Sequence, residues 1–137
     1  MILADTGSLV ALFDPRDRNH SRCKAVVPEL RQPLVTTVPV LTEAFHLLSP
    51  ASRGSTALRE FVRRGGVSVW FLDPATLRRA FELMEEYADH PMDLSDASLV
   101  AAAEELRVRK VFTLDRDDFS TYRIRHGRRL EGFELLP

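Results

Sequence analysis

Residues 2–9 of the chain read Ile2-Leu3-Ala4-Asp5-Thr6-Gly7-Ser8-Leu9, and they contain the first expected strand, the first acid and the first turn. An apolar run meets an acid at once, and the next three residues suit a tight turn and the start of a helix. The pattern predicts a buried strand over 1–4 and a short helix over 8–13. Asp5 lies between two apolar segments, where a carboxylate needs a partner because burial penalises its charge. Alternatively, Asp5 is only a helix cap or a turn residue.

The same change from a short apolar run to a segment of helical period recurs along the chain. Strands are predicted over residues 1–4, 34–37, 67–72, 110–114 and 133–136. Helices are predicted over residues 8–13, 20–30, 40–48, 52–64, 75–88 and 95–106. Strands that alternate with helices indicate an α/β domain. We therefore expect a central, mainly parallel five-stranded sheet flanked by helices.

Composition indicates one ordinary globular domain over residues 1–137, with 45% hydrophobic and 28% charged residues. The single cysteine, Cys23, cannot form an internal disulfide. No apolar run approaches the roughly 18 residues of a membrane span, and no signal peptide is apparent. We expect a cytoplasmic protein without membrane contact. The formal net charge of −1 weighs mildly against a nucleic-acid partner, since such proteins are usually basic.

Asp115 repeats the position of Asp5, because it directly follows the fourth predicted strand. Binding crevices of parallel sheets lie beyond the carboxyl ends of the strands, so we expect both acids at one edge. The hydroxyl of Thr113 is placed to support a carboxylate or a water there. Alternatively, Asp115 belongs to a polar turn, in which Asp118 is expected to act as the helix cap.

Asp96 and Glu43 lie on predicted helices. Asp93 and Asp96 have the spacing of a capping box, which explains both acids without chemistry. Asp96 nevertheless ends an apolar stripe that faces the sheet. Glu43 is flanked at helical spacing by Val40 and Leu47, and a buried glutamate costs free energy unless it is paired or binds metal. The alternative for Glu43 is a side chain that reaches out to solvent.

Clustered carboxylates repel one another unless a cation joins them. No matching set of buried Lys or Arg is evident, although Arg109 or Lys110 could pair with one acid. Oxygen ligands suit Mg²⁺ or Mn²⁺, and the scattered histidines with one cysteine make no zinc pattern. The acids therefore predict a site for a hard divalent cation.

Basic residues cluster late in the chain, around His126. The cluster consists of Arg123, Arg125, Arg128 and Arg129. Such a group can grip the phosphates of a nucleic acid. It can equally be a solvated turn between two edge elements.

Four segments in order make the chain resemble a PIN-domain ribonuclease, and most closely the small VapC-like toxins of prokaryotic toxin–antitoxin pairs. They are Ile2 to Leu9, Thr42-Glu43, Leu94 to Ala101, and Val111 to Phe119. The resemblance implies a Rossmann-like fold, a homodimer and a cognate antitoxin that blocks the site.

The resemblance also implies roles for individual residues. It assigns catalysis to Asp5, Glu43, Asp96 and Asp115, and binding of Mg²⁺ or Mn²⁺ to Asp5, Asp96 and Asp115. It implies supporting roles for Thr6, Ser8 and Thr113. Asp93 is a secondary candidate from its place at the start of the Asp96 helix, and it does not share the alignment of Asp96 with the apolar stripe.

The predicted function is metal-dependent endonucleolytic cleavage of RNA, as the toxin of such a pair. A PIN nuclease that processes RNA outside any toxin system, and a module that binds metal or RNA without cleaving it, are the alternatives. A phosphatase would need a second Asp where Gly7 stands, and a receiver protein would need a Lys where Asp115 stands.

Overall fold

The computed structural model describes all 137 residues, and its centre is a five-stranded parallel sheet. The strands are β1 (Ile2–Ala4), β2 (Leu34–Thr37), β3 (Val67–Trp70), β4 (Lys110–Phe112), β5 (Arg123–His126), β6 (Arg129–Gly132) and β7 (Glu134–Leu136). The sheet order is β3-β2-β1-β4-β7, with every pairing parallel. β5 and β6 form a separate antiparallel hairpin. The predicted five-stranded parallel sheet is confirmed.

Helices connect the parallel strands, which cannot be joined by tight turns. They are α1 (Thr6–Phe13), α2 (His20–Val26), α3 (Val38–Leu48), α4 (Arg53–Arg63), α5 (Pro74–Glu86), α6 (Leu94–Leu106) and α7 (Arg116–Thr121). A membrane crossing needs more length and apolarity than any of these helices has.

Some boundaries differ from the prediction for local reasons. The helix predicted over 20–30 ends at Val26 and continues as a 3₁₀ turn over Val27–Glu29, because Pro28 cannot donate a helical hydrogen bond. The prediction missed α7 and the hairpin. It was also wrong about Asp118: the cap of α7 is Asp115, whose carboxylate accepts the Asp118 N–H at 3.0 Å.

Helix α6 is the most buried helix, and it packs against α3, α5, β2 and β5. Alanines at 97, 101, 102 and 103 are buried, so neighbouring elements approach it closely. A buried hydrogen bond joins Ser98 Oγ to Thr37 Oγ1 on β2 at 2.6 Å. The predicted apolar stripe is therefore only part of a helix that is buried on nearly all sides.

The arginine-rich stretch is an ordered hairpin and not merely a solvated turn. Its turn contains Gly127 at φ +61°, a backbone conformation that favours glycine. Ile124 is fully buried, and the Arg125 N–H donates to Glu104 Oε2 of α6 at 2.9 Å. The hairpin therefore lies along α6.

The start of α4 approaches the end of α1 at Gly54. A Cβ built on Gly54 would lie 2.6 Å from the carbonyl oxygen of Phe13, which is backbone and cannot move aside cheaply. The absence of a side chain at this position therefore lets the two helices meet.

We predict that Gly54→Ala destabilises the protein by about 1–3 kcal/mol through overpacking. In an unhindered helix the same change would stabilise by about 1 kcal/mol, so the sign is diagnostic. Urea unfolding measures the difference. Gly132→Ala is the control, because its nearest heavy atom would be an arginine nitrogen at 3.8 Å. Equal stability of Gly54→Ala and wild type would contradict the close approach.

Candidate active site

A cleft of about 670 Å³ opens beyond the carboxyl ends of β1 and β4. Its acidic lining residues are Asp5, Glu43, Asp93, Asp96, Asp115, Asp117 and Asp118. The basic residue of the lining is Arg116, whose guanidinium donates to the carbonyl oxygen of Pro137 at 3.2 Å. The fold therefore brings all four sequence-predicted acids into one cleft.

Asp5 is the most buried of these acids, with 6% of its surface exposed. Its Oδ1 accepts the Thr6 N–H at 2.7 Å, and its Oδ2 accepts the Thr113 hydroxyl at 2.8 Å. The pKa of Asp5 is raised to about 6, chiefly by burial and also by the charges of Asp115 and Glu43, while the two hydrogen bonds offset part of the rise. Asp5 therefore both caps α1 and faces the cleft.

Thr113 joins the carboxyl ends of β1 and β4. Its hydroxyl donates to Asp5 Oδ2 and accepts the Asp115 N–H at 3.0 Å. Asp115 lies at the exposed rim, where its Oδ1 caps α7. Partial burial raises the pKa of Asp115, and the neighbouring carboxylates of Asp118 and Asp117 add to the rise.

Asp96 and Asp93 have separate roles at the start of α6. The carboxylate of Asp93 accepts the Asp96 N–H at 2.8 Å, so Asp93 is the cap. The Asp96 carboxylate instead accepts the hydroxyl of Tyr122 at 2.8 Å on Oδ2. The pKa of Asp96 is raised to about 8, chiefly by burial and also by the charge of Asp5, while the Tyr122 hydrogen bond opposes the rise.

Glu43 is half-buried on α3, and it makes no ion pair within 4 Å. Its flank is less buried than predicted. Val40 is fully buried, whereas Leu47 is 56% exposed. Glu43 consequently lies where the apolar side of α3 meets the open cleft.

Ser8 and Thr6 are the two remaining candidates with hydroxyl groups, and only Thr6 lines the cleft. Ser8 Oγ donates to the backbone carbonyls of Asp5 at 2.9 Å and Phe112 at 2.7 Å, and Ser8 does not line the cleft. It therefore ties the start of α1 to β4. Thr6 lines the cleft, and its buried Oγ1 has no hydrogen-bond partner.

The donor set fits a hydrated hard cation. None of the four predicted acids is paired with Lys, Arg or His within 4 Å. No three acidic, histidine or cysteine side chains are close enough together to hold a metal ion directly. Mg²⁺ typically takes one or two carboxylates and keeps several waters, so it does not require three such side chains. Thr6 also lines the cleft, and its buried Oγ1 is left without a hydrogen-bond partner beside Asp5.

The predicted arginines do not form one surface. The guanidinium of Arg123 donates to the carbonyls of Ser120, Thr121 and Tyr122, so Arg123 stabilises its own turn. Arg125 and Arg129 line a second cavity of about 460 Å³. Arg128 is exposed beside Gly127.

This second cavity lies at the far end of α6 from the acidic cleft. It also contains Arg107, the residue that ends α6. From Asp96 to Arg107 the helical rise is roughly 16 Å.

Tyr122 is a site residue that the sequence did not indicate. It lies 26 positions from Asp96 and at the end of a helix that was not predicted. No short motif signals such a contact, because it depends on the path of α7 and the hairpin. Asp118, in the first turn of α7, is likewise paired with His90 across the same loops.

Comparison with known proteins agrees with this architecture. Residues 2–124 match the family described as PIN domain. The chain is 27% identical over 139 residues to Ribonuclease VapC26 of Mycobacterium tuberculosis, covering 99% of this chain and 100% of that protein.

Two solved structures share the fold. The crystal structure of Mycobacterium tuberculosis VapC20, described as a Sarcin-Ricin loop cleaving toxin, has a TM-score of 0.79 and 21% identity, over 85% of this chain and 92% of that one. A toxin–antitoxin complex from Klebsiella pneumoniae has a TM-score of 0.68 and 19% identity, over 88% and 92%. Because the family match runs from β1 into β5, the chain belongs to the PIN-domain family.

Proposed function

We propose that this protein is an endoribonuclease that hydrolyses RNA phosphodiester bonds with Mg²⁺ or Mn²⁺ held by Asp5, Asp96 and Asp115, in part through water molecules. The observation that carries the proposal is that Asp5, Glu43, Asp96 and Asp115 lie in one cleft without cationic partners. The similarity to Ribonuclease VapC26 supports RNA as the substrate. When bound, a divalent ion supplies charge that offsets that of the phosphate and makes an attacking water more acidic.

Asp5, Asp96 and Glu43 have different roles in the proposed reaction. Asp5 presents its carboxylate in one fixed orientation, because Thr6 and Thr113 hold both oxygens. Asp96 has one oxygen held and the other unbonded within the protein. Glu43, half-buried and unpaired, orients the attacking water.

The proposal includes a biological setting. The protein acts as the toxin of a VapBC-type pair, with a cognate antitoxin and a homodimeric state. The support is its likeness to the toxin–antitoxin complex from Klebsiella pneumoniae and to the toxin VapC20. Val38 and Leu47 on α3, 45% and 56% exposed, offer apolar area for a protein partner beside the cleft.

Arg125 and Arg129 are the proposed phosphate contacts of the hairpin, together with Arg107. None of the three forms an ion pair. The acids of the same cavity are already engaged: Glu104 binds Arg79 at 2.8 Å, and Glu131 lies 3.6 Å from Arg109. The cavity therefore keeps free positive charge.

We predict that Asp5→Asn abolishes RNA cleavage, because it removes the best-fixed carboxylate. Its melting temperature at pH 8 should rise, because a buried charge with a raised pKa is removed. A fluorescent RNA panel and thermal melts measure both effects. Asp117→Asn is the matched control, an exposed acid of the same cleft, and should stay active. Undiminished RNA cleavage by Asp5→Asn would contradict the proposed mechanism.

We predict that the metal-free protein loses stability as pH rises from about 4 to about 8. The pKa values of Asp5 and Asp96 are raised from 3.8 to about 6 and about 8, so across this range the folded state holds protons that the unfolded state has released. Mn²⁺ should therefore stabilise the protein more at pH 8 than at pH 5.

Thermal melts with EDTA or with Mn²⁺, from pH 4 to pH 8, measure this dependence. Asp96→Asn is the informative variant, because it should flatten the upper part of the metal-free profile. A metal-free melting temperature that rises from pH 5 to pH 8 would contradict the raised pKa values.

We predict that the double variant Arg125→Gln/Arg129→Gln raises KM for RNA and leaves kcat unchanged, since both residues lie far from the acidic cleft. Loss of two phosphate contacts should reduce the salt dependence of RNA binding by a slope of about 2. Arg18→Gln/Arg22→Gln is the control, with the same change in charge on exposed, unpaired arginines. Equal KM values for the two double variants would exclude a specific role for the hairpin.

A further inference from the structure

The proposed function uses the Asp96 carboxylate, one oxygen of which is held by Tyr122, but it assigns no role to Tyr122 itself. The Tyr122 side chain is fully buried, and its hydroxyl ends 2.8 Å from Asp96 Oδ2. A buried tyrosine hydroxyl needs a partner, but a backbone carbonyl would serve equally well. Here the partner is a carboxylate of the acidic cleft.

Three rings hold Tyr122 in place. Tyr87 and Phe119 lie edge-on with ring centroids at 5.2 and 5.3 Å, and His90 lies edge-on at 5.9 Å. The Tyr122 N–H also donates to the Asp118 carbonyl at 3.0 Å, at the last turn of α7. Because ring and backbone are both fixed, the hydroxyl has one available position.

Helix α7 connects two sides of the cleft through its ends. Asp115 caps its first turn and Tyr122 follows its last residue. The helix has only 6 residues, so these two ends are held at a short, fixed separation. The position of Asp96 relative to Asp115 therefore depends on the Tyr122 hydroxyl.

We propose that Tyr122 is a positioning residue whose hydroxyl fixes the Asp96 carboxylate so that its second oxygen is presented to a divalent cation. This inference rests on the proposed function. Hydrogen bonds from outer residues orient metal-binding carboxylates, and their removal typically lowers metal affinity about 10–100-fold. A tyrosine that only fills the core would not change metal affinity.

Tyr87 provides a matched control within the same aromatic cluster. Its hydroxyl accepts the Arg123 N–H at 2.8 Å and makes no hydrogen bond to an acid. Tyr87→Phe and Tyr122→Phe therefore each remove one hydroxyl and one hydrogen bond while keeping the ring. Only Tyr122→Phe removes a hydrogen bond to Asp96.

The test is calorimetric titration of the metal-free variants with Mn²⁺, together with RNA cleavage as a function of Mn²⁺ concentration. Tyr122→Phe should raise the Kd for Mn²⁺ and the half-saturating Mn²⁺ concentration by about 10–100-fold, and kcat should recover at high Mn²⁺. Tyr87→Phe should match wild type in both. Tyr122→Met, which fills the space with a flexible side chain, should show the same weakening as Tyr122→Phe.

Several outcomes would overturn the proposal. One is a Tyr122→Phe protein that binds Mn²⁺ as wild type does. Another is a loss of kcat at every Mn²⁺ concentration with an unchanged half-saturating value, which would indicate a structural role. If wild type itself took up no Mn²⁺, the proposed function would fail as well, so the two failures are distinguishable.

Discussion

The structure depends on one buried carboxylate at the end of its central strand. Asp5 follows β1, which lies between β2 and β4, and both of its oxygens are hydrogen-bonded within the protein. No cation neutralises it, so its charge is costly and its pKa rises. Three elements meet to hold it: β1 by the chain, α1 through the Thr6 N–H, and β4 through Thr113. The register of β1 against β4 therefore also determines the geometry of the cleft.

The cleft has a fixed side and an adjustable side. Asp5 and Asp96 each accept a hydrogen bond from a buried hydroxyl, whereas Glu43 is half-buried and Asp115 lies on the rim. Thr113 links the two sides, because its single hydroxyl contacts both Asp5 and the backbone of Asp115. Such an arrangement keeps part of a binding site preorganised while leaving other carboxylates free to adapt to a ligand.

The sequence correctly predicted the features that depend on local sequence pattern. Asp5 and Asp115 follow apolar runs, so their place at the sheet edge follows from strand ends alone. Asp118 was predicted to be the helix cap, whereas Asp115 caps α7. The error arose because α7 is short and polar. The Tyr122–Asp96 contact was missed because it joins residues 26 apart through tertiary packing. The flank of Glu43 was judged too buried, since helical period cannot tell that Leu47 faces the open cleft.

A cluster of acids without cationic partners needs some other source of compensation, and the helices provide it. Asp5 caps α1, Asp115 caps α7, and Asp96 lies in the first turn of α6. Helix N-termini carry partial positive charge from unpaired N–H groups, which stabilises nearby carboxylates. Such compensation is partial, as the raised pKa values of these three acids indicate. The helix ends gather negative charge in one place and leave enough of it unneutralised to attract a cation. Glu43, in the middle of α3, has no such support, and it is the acid that remains partly open to solvent.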